Sequence, residues 1–180
     1  MSLKILSQNN NTEFKVNITP SEESERGTLR LFEDILNSGL SLRVKVTGRS
    51  MSPFLRGGEI LTIRKVPLSS LQTGDLIFFK NHLGSRLLHR IIKKKRDNNG
   101  MFAFQTKGDA LRVCDESVRH DEILGKVFKI EKINSVICSK HINMESTSWQ
   151  TINYLIATTC LFESRLFSIL RAFKNLLRKS

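Results

Sequence analysis

One serine in this sequence stands in a setting that could make its hydroxyl group reactive. Ser50 lies in the stretch VTGRSMSPFLRGGEI, between a strand-like run and a turn rich in glycine and proline. A serine hydroxyl is a weak nucleophile at neutral pH, and it needs a neighbouring base that a third group holds in one orientation. A reactive Ser50 therefore requires a histidine or lysine base and a carboxylate elsewhere in the chain.

His89 is the histidine that best fits the role of this base. In the run RLLHRII, the alternation of a β-strand places Leu87, His89 and Ile91 on one face, so the imidazole lies among apolar groups and needs a polar partner. Taken alone, this pattern is more typical of a structural histidine in a core. The remaining histidines lie in polar connections and are expected at the surface: His82, His120 and His141.

Two aspartates can supply the carboxylate. Asp109 and Asp115 both occur in TKGDALRVCDESV, which follows a predicted strand. An aspartate beside a glycine is common in turns, so neither residue alone indicates catalysis. The order of the serine, the histidine and the aspartates along the chain is more informative than any one of them.

The elements that must position these side chains are predicted to be mainly β-strands. From Leu40 to about Ile137 the sequence consists of short β-type runs separated by glycine, asparagine and proline, which predicts an antiparallel β domain over residues 40–137. The stretch KKKRDNNG, between Ile92 and Met101, is predicted to be a hairpin loop. The predicted strands are LRVKV, EILTIRKV, DLIFFK, RLLHRIIK, MFAFQTK and GKVFKIEKI.

A helix is predicted on each side of the β domain. Residues 1–18 are polar and are expected to be a flexible lead-in. Residues 19–39 open with Thr-Pro-Ser-Glu and close with Asn-Ser-Gly, which predicts a helix. Residues 149–180 predict a basic amphipathic C-terminal helix. The fold class is therefore predicted to be mainly β, with an N-terminal helix and a C-terminal amphipathic helix.

The apolar stripe of the C-terminal helix has three conceivable uses: packing on the domain, pairing with a partner, or lying in a membrane interface. The uncharged run from Ile152 to Phe162 is too short to span a bilayer. Basic residues outnumber Glu163 in the last part of the segment, which favours reversible contact with an anionic membrane. The predicted stripe comprises Leu155, Phe162, Leu166, Ile169, Phe173, Leu176 and Leu177.

The overall charge favours polyanions as partners. The 180 residues include 29 Lys and Arg against 17 Asp and Glu, a formal net charge of +12. The motifs that accompany nucleic-acid binding, such as zinc-finger spacing or a basic zipper, are missing, so the sequence does not favour nucleic acid. With neither a signal-peptide pattern nor an apolar run of about 18 residues, we expect a membrane-associated, peripheral protein or a cytoplasmic one.

The cysteines do not indicate a metal or redox site. Cys114, Cys138 and Cys160 are an odd number and contain no C-x-x-C pair, which is typical of reduced structural thiols. We therefore expect neither a metal nor another cofactor.

Five short boxes, in this order, resemble the type I signal peptidase superfamily. They are GRSMSPFLRGGEIL at 48–61, TGDLIFF at 73–79, LHRII at 88–92, TKGDA at 106–110 followed by Asp115, and ILGKV at 123–127. The family divides by its base, which is lysine in bacterial-type enzymes and histidine in the archaeal and endoplasmic-reticulum type. His89-Arg90-Ile91 resembles the histidine branch.

The resemblance implies a role for each candidate residue. Ser50 matches the nucleophile, His89 the general base, Asp115 the carboxylate that orients the histidine, and Asp109 a second, supporting acid. For substrate binding and the oxyanion it points to Gly48, Ser50 and Met51.

In detail, the sequence departs from the family pattern at several positions. Gly48 has no hydroxyl, although some relatives carry a serine there, so the backbone N–H of Ser50 is our candidate oxyanion donor. Glu59 stands where the family usually has aspartate, Ala110 replaces a common asparagine, and the expected spanning helix before the serine box is not found.

These features predict a serine endopeptidase, a hydrolase that cleaves a peptide bond in a precursor protein or peptide, as in signal-peptide processing. An extended substrate is expected to pair with an exposed strand edge. The alternative is a catalytically inactive, repressor-like relative that docks on a membrane or on nucleic acid.

Overall fold

The computed structural model describes residues 4–6, 22–82, 84–96, 100–133 and 139–177. Within them the chain forms two helices, α1 (Glu22–Asn37) and α2 (Thr147–Leu177). The strands are β1 (Lys4–Leu6), β2 (Leu42–Lys45), β3 (Ile60–Arg64), β4 (Leu76–Lys80), β5 (Arg86–Arg96), β6 (Phe102–Lys107), β7 (Ser117–Val118), β8 (Ile123–Ile133) and β9 (Ser139–Asn143).

The described strands pair in one curled antiparallel sheet that resembles a half-barrel. Its order is β1-β2-β3-β8-β4-β5-β6-β7, and β9 pairs with the far end of β8. The long strand β8 reaches β4, β3 and β9 in turn, so it joins the two halves of the sheet. The predicted fold class, mainly β with a helix on each side of the sheet, is confirmed.

Alternation along the strands gives the sheet two apolar faces. On one face, Phe32 and Leu36 of α1 are buried against the sheet, which indicates why this short helix is amphipathic. The strand side chains of this cluster include Leu42, Val44, Leu61, Ile63, Phe78, Leu88, Val127 and Ile130.

The opposite face holds a second cluster, which surrounds the predicted base. Leu87 and Ile91 of β5 belong to this cluster, and the His89 ring meets the Phe79 ring edge-on at 6.2 Å between centroids. The prediction that Leu87, His89 and Ile91 share an apolar face is therefore confirmed.

Helix α2 packs on the domain through a narrow face. Asn153, Ala157 and Cys160 are buried. A Cβ atom added at Gly74 would lie 2.8 Å from the backbone nitrogen of Tyr154, so the turn before β4 needs glycine for α2 to approach this closely. The φ angle of 102° at Gly74 is a second reason for glycine there.

The two members of the predicted apolar stripe whose side chains the structure describes are mostly exposed. Leu155 is 57% exposed and Phe162 is 69% exposed. The other members of the stripe belong to residues 164–177, whose side chains lie outside those described. The first two members thus leave an apolar surface open on α2.

The structure corrects the predicted hairpin loop. Strand β5 continues to Arg96, so Lys93, Lys94 and Lys95 are strand residues and not a loop. The Lys94 ammonium lies over the Phe102 ring at 4.2 Å and donates hydrogen bonds to backbone oxygens of residues 68, 69 and 71. Packing of the lysine stem against aromatic rings extends the strand into a stretch whose composition is typical of loops.

Three short strands were not indicated by the sequence. They are β1, within the predicted lead-in, and β7 and β9. The proposed start of the first helix at residues 19–21, the rest of the lead-in, Cys138 and residues 178–180 lie outside the described residues.

Candidate active site

The segment that joins β2 to β3 carries Ser50, and we call it the Ser50 turn (residues 46–59). Hydrogen bonds between its two ends close this turn. The Val46 N–H donates to the Glu59 carbonyl at 2.8 Å, and the Gly58 N–H donates to the Val46 carbonyl at 2.7 Å. The buried Glu59 carboxylate accepts the N–H groups of Arg56 and Gly57, each at 2.8 Å. Both oxygens of the Glu59 carboxylate are therefore used to close the loop that follows Ser50. Glutamate fills this role at the position where the signal peptidase pattern usually has aspartate.

The residues next to Ser50 are anchored in the core. Met51 is 1% exposed and Leu55 is fully buried, and the Leu55 N–H donates to the Met51 carbonyl at 2.8 Å. Ser50 itself is half-buried, and its carbonyl accepts the Ala110 N–H at 2.9 Å. The turn that carries the serine is therefore held both by the core and by the segment after β6.

Asp115 holds the imidazole of His89. The Nδ1 atom of His89 lies 2.6 Å from Oδ2 of Asp115, and Thr106 Oγ1 donates to the same oxygen at 2.7 Å. The Asp115 N–H donates to the Thr106 carbonyl at 2.9 Å, which fixes the backbone that carries the carboxylate. Since an ionised carboxylate can only accept, we assign the proton to Nδ1, which leaves the lone pair on Nε2.

Gly108 brings the serine turn and the histidine together. A Cβ atom added at Gly108 would lie 2.7 Å from the Ser50 carbonyl oxygen and 3.0 Å from His89 Nε2. The Ser50 carbonyl oxygen and His89 Nε2 therefore both adjoin Gly108, and the distance between them cannot exceed the sum of these two distances. His89 Nε2 is buried and forms no hydrogen bond within the described part of the chain, with Ser50 Oγ or with any other group. Catalytic hydrogen bonds are often long before substrate binds.

Asp109 is hydrogen-bonded to Arg90 and not to His89. The guanidinium of Arg90 donates to both carboxylate oxygens, at 2.9 Å from Nε and 2.8 Å from Nη2. Nη1 donates to the Gly74 carbonyl at 3.0 Å and to Asn153 Oδ1 at 2.7 Å. Arg90 is fully buried, so this network joins the strand of His89 to the turn after Gly108 and to α2.

Lys107 is a site residue that the sequence did not single out. Its side chain is fully buried beside Gly108, and its Nζ forms no hydrogen bond among the described residues. The nearest carboxylate is Glu163, with 4.0 Å between Nζ and Oε2. A lysine in the TKGDA box was visible in the sequence, but only the tertiary structure shows that its ammonium is buried.

Cys160 is not suited to be an alternative nucleophile. Its Sγ lies 4.0 Å from Oδ1 of Asp109. Burial raises the pKa of the Cys160 thiol, opposed by the Lys107 ammonium and reinforced by the Asp109 carboxylate. The reactive thiolate is therefore scarce at neutral pH.

The remaining predicted positions are placed as follows. Gly48 is half-buried in the serine turn, and the Met51 side chain is part of the core, so Met51 can offer a substrate only its backbone. His82, His120 and His141 are exposed. Among the residues described, no group of three or more His, Cys, Asp or Glu side chains is placed to hold a metal ion.

Comparisons with known proteins do not assign the chain to a family. A scan against protein-family models finds no match, and a search of curated proteins also finds none. Neither of the helices, over the residues described, has the length and apolar character needed to cross a bilayer.

Proposed function

We propose that this protein is a serine endopeptidase that cleaves a peptide bond in a precursor protein or peptide, with signal-peptidase-like chemistry. The observation that carries the proposal is the pairing of His89 Nδ1 with Asp115, which leaves a buried Nε2 without a partner among the described residues, across Gly108 from Ser50. A buried polar atom without a partner is costly, and such atoms are found where a reacting group must bind.

The chemistry follows the serine–histidine–carboxylate pattern. His89 Nε2 takes the proton from Ser50 Oγ while Oγ forms a bond to the carbonyl carbon of the scissile peptide. The tetrahedral intermediate expels the amine, which receives the proton from the imidazolium, and an acyl-serine remains. Water then attacks the acyl group, gives its proton to Nε2, and releases the carboxylic acid as the proton returns to Ser50.

Asp115 and Asp109 support different parts of this reaction. Asp115 holds the tautomer and stabilises the imidazolium, since its Oδ2 lies 2.6 Å from Nδ1. Asp109 neutralises Arg90 and so fixes the segment whose Ala110 N–H binds the Ser50 carbonyl. The Ser50 N–H is the candidate donor to the oxyanion, and Met51, locked in the core, limits movement of that turn.

Peptide cleavage by two serine variants tests the proposal. Ser50→Ala is expected to fold normally and to lose turnover by several orders of magnitude. Ser52→Ala, two residues away in the same turn, is the matched control and is expected to retain activity. Loss on Ser52→Ala with an active Ser50→Ala would contradict the assignment. A chain that binds but does not cleave peptides would favour the inactive binding module.

The identity of the base is tested by a second set of variants. His89→Ala is expected to remove activity, and the exposed His82→Ala is expected to keep it. Lys107→Met is the critical lysine variant, because its buried ammonium adjoins Gly108. Activity that survives His89→Ala but is lost in Lys107→Met would assign the reaction to a lysine base.

For location, we propose that α2 docks reversibly on an anionic membrane surface. Leu155 and Phe162 are exposed apolar residues on one side of this helix, with 57% and 69% of their surfaces open to solvent. Lysine and arginine outnumber acidic residues in the rest of the segment. Exposed apolar side chains combined with basic residues are typical of interfacial helices.

A further inference from the structure

Asn153 is a buried polar residue in the uncharged run TINYLIATTCLF of helix α2. Asparagine is a weak helix former, and burying an amide costs free energy unless its polar groups are hydrogen-bonded. The Oδ1 atom of Asn153 accepts a hydrogen bond from Nη1 of Arg90 at 2.7 Å. This hydrogen bond connects α2 to the buried network of the candidate active site.

Arg90 joins α2 to three other parts of the chain. Nη1 also donates to the Gly74 carbonyl at 3.0 Å, and the guanidinium lies over the Phe54 ring of the Ser50 turn at 5.0 Å. Nε and Nη2 donate to the two oxygens of Asp109 at 2.9 and 2.8 Å. Because the guanidinium is planar and fully buried, these partners together fix its orientation.

The residues on both sides of Asp109 adjoin the Ser50 carbonyl. The Ala110 N–H donates to this oxygen at 2.9 Å, and a Cβ atom added at Gly108 would lie 2.7 Å from it. The same Cβ position is 3.0 Å from His89 Nε2. This short segment is therefore held by Arg90 through its middle residue, while its outer residues adjoin the proposed nucleophile and base.

Helix α2 meets the site from the side away from the base. His89 and Arg90 are consecutive residues of β5, so their side chains lie on opposite faces of the sheet. The connection from α2 to the reacting groups therefore runs through Arg90 and Asp109. A displacement of about 1 Å in such a connection is enough to lower a reaction rate on the order of 10²-fold.

We propose that Asn153 is a positioning residue for the reaction at Ser50, and that the site is fully active only when α2 is docked on Arg90. Loss of the Asn153 acceptor leaves an N–H of a buried guanidinium without a partner, which favours reorientation of the guanidinium and of the Asp109 carboxylate bound to it. The inference rests on the proposed function for the reaction that depends on this positioning.

Two substitutions at Asn153 separate its hydrogen bond from its shape. Asn153→Leu has a similar volume and removes the acceptor, whereas Asn153→Asp keeps an oxygen that accepts from Nη1. The probe is a fluorophosphonate, which forms a bond from Ser50 Oγ to phosphorus and releases fluoride. In Asn153→Leu the limiting rate of labelling is expected to fall about tenfold or more, with less than about a threefold change in probe affinity. Asn153→Asp is expected to restore the rate.

Ala157→Gly is the matched control for a general weakening of α2. Ala157 is fully buried one helical turn after Asn153 and packs with Ile92 and Cys160. Glycine lowers helix propensity and removes a buried methyl group, but it leaves every partner of Arg90 in place. This variant is expected to lower Tm and to keep the rate of labelling. Equal losses of rate in Ala157→Gly and Asn153→Leu would mean that Asn153 acts only through stability and would overturn the inference.

Hydrogen exchange of the Ala110 amide, measured by NMR, tests the same connection without any reaction. Its N–H is bound to the Ser50 carbonyl, so exchange is expected to be about tenfold or more faster in Asn153→Leu, relative to the amides of β8 that pair with β3. In Ala157→Gly the same ratio is expected to change less than about threefold. An unchanged ratio in Asn153→Leu would contradict the connection.

Circular dichroism checks that the variants are folded. If Asn153→Leu does not fold, Asn153→Ala removes the same acceptor without a branched side chain and carries both measurements. Failure of the proposed function gives a different result: the unchanged chain is not labelled on Ser50, while the exchange of Ala110 still responds to loss of the Asn153 acceptor.

Discussion

His89 and Asp115 are joined by a hydrogen bond of 2.6 Å between Nδ1 and Oδ2, although 26 residues separate them in sequence. The imidazole is 3% exposed and the carboxylate 18%, so the pair is shielded on the histidine side and reached by water on the other. Thr106 Oγ1 occupies the same carboxylate oxygen at 2.7 Å. The pair leaves the lone pair on Nε2, which lies beside Gly108, the residue that also adjoins the Ser50 carbonyl.

Asp115→Asn tests this orientation. An amide cannot stabilise the imidazolium and allows the wrong tautomer, so kcat is expected to fall by about 10⁴-fold while the fold is retained. The measurement is steady-state peptide cleavage. Glu116→Gln is the control, because Glu116 is the adjacent carboxylate and is 79% exposed, on the side of His82. Equal losses in the two variants would contradict the role of Asp115.

Gly108→Ala tests the contact between the serine turn and the histidine. The added methyl group would lie 2.7 Å from the Ser50 carbonyl oxygen, closer than carbon and oxygen can approach, so the two parts must separate. A displacement of about 1 Å costs on the order of 10²-fold in rate, and kcat is expected to fall by at least that much.

The control for this glycine is Gly27→Ala. Gly27 lies in α1 with nothing within 4 Å of an added Cβ atom, so alanine is expected to raise the free energy of unfolding by up to about 1 kcal/mol and to leave cleavage unchanged. Full activity of Gly108→Ala would show that Ser50 and His89 do not depend on this close approach.

The strands were predictable where alternation is strong. In β5 the register puts Leu88 on one face of the sheet and His89 on the other, and both faces are apolar. The run RLLHRII therefore predicts a strand from its local sequence alone. Strand β9, with the sequence SKHIN, has only Ile142 as an apolar residue and is a strand because β8 offers it a partner. The prediction of a loop over residues 93–100 was wrong for its first part, because Lys94 packs on Phe102 and Phe104 of the neighbouring strand β6, a contact that the run of lysines does not indicate.

The site was only partly predictable. The resemblance to signal peptidases was enough to select the candidate residues Ser50, His89, Asp109 and Asp115. The different partners of the two aspartates are visible only in the three-dimensional structure. Arg90 forms an ion pair with Asp109, and Asp115 is hydrogen-bonded to His89. The burial of the Lys107 side chain and the contact of Asn153 of α2 with Arg90 arise from tertiary packing, which no local pattern encodes.

Alkylation of Cys160 depends on pH in a direction set by its surroundings. Because burial raises the pKa of its thiol, the folded protein favours the protonated form, and the resulting contribution to stability is present at neutral pH and is lost as the pH rises through the raised pKa. Iodoacetamide is expected to modify Cys160 more slowly in the folded than in the unfolded chain, with the rate rising at alkaline pH. Peptide mapping measures the rate at this residue, and equal rates in the two states would contradict its burial.

Membrane docking by α2 is tested by sedimentation with anionic vesicles. The double variant Leu155→Glu with Phe162→Glu is expected to lose binding by about tenfold or more, because two exposed apolar side chains no longer enter the interface. Binding of the unchanged chain should weaken as salt is added.

The control for the vesicle experiment carries the same added charge. Thr151→Glu with Thr158→Glu changes exposed polar positions on the same helix and is expected to retain more binding than the first double variant. Equal loss in both double variants would mean that charge alone drives the attraction. No sedimentation of the unchanged chain with anionic vesicles at low salt would contradict membrane docking by α2.

Covalent labelling identifies a nucleophilic serine without a known substrate, and Ser50 is expected to be the labelled residue. The full chain is treated with a fluorophosphonate, which reacts with activated serine hydroxyls, and the modified residue is identified by mass spectrometry of proteolytic peptides. One adduct is expected, on Ser50, and it should be absent from Ser50→Ala and from His89→Ala and present in Ser52→Ala. An unlabelled but folded chain, or an adduct on another residue with Ser50 unmodified, would contradict it.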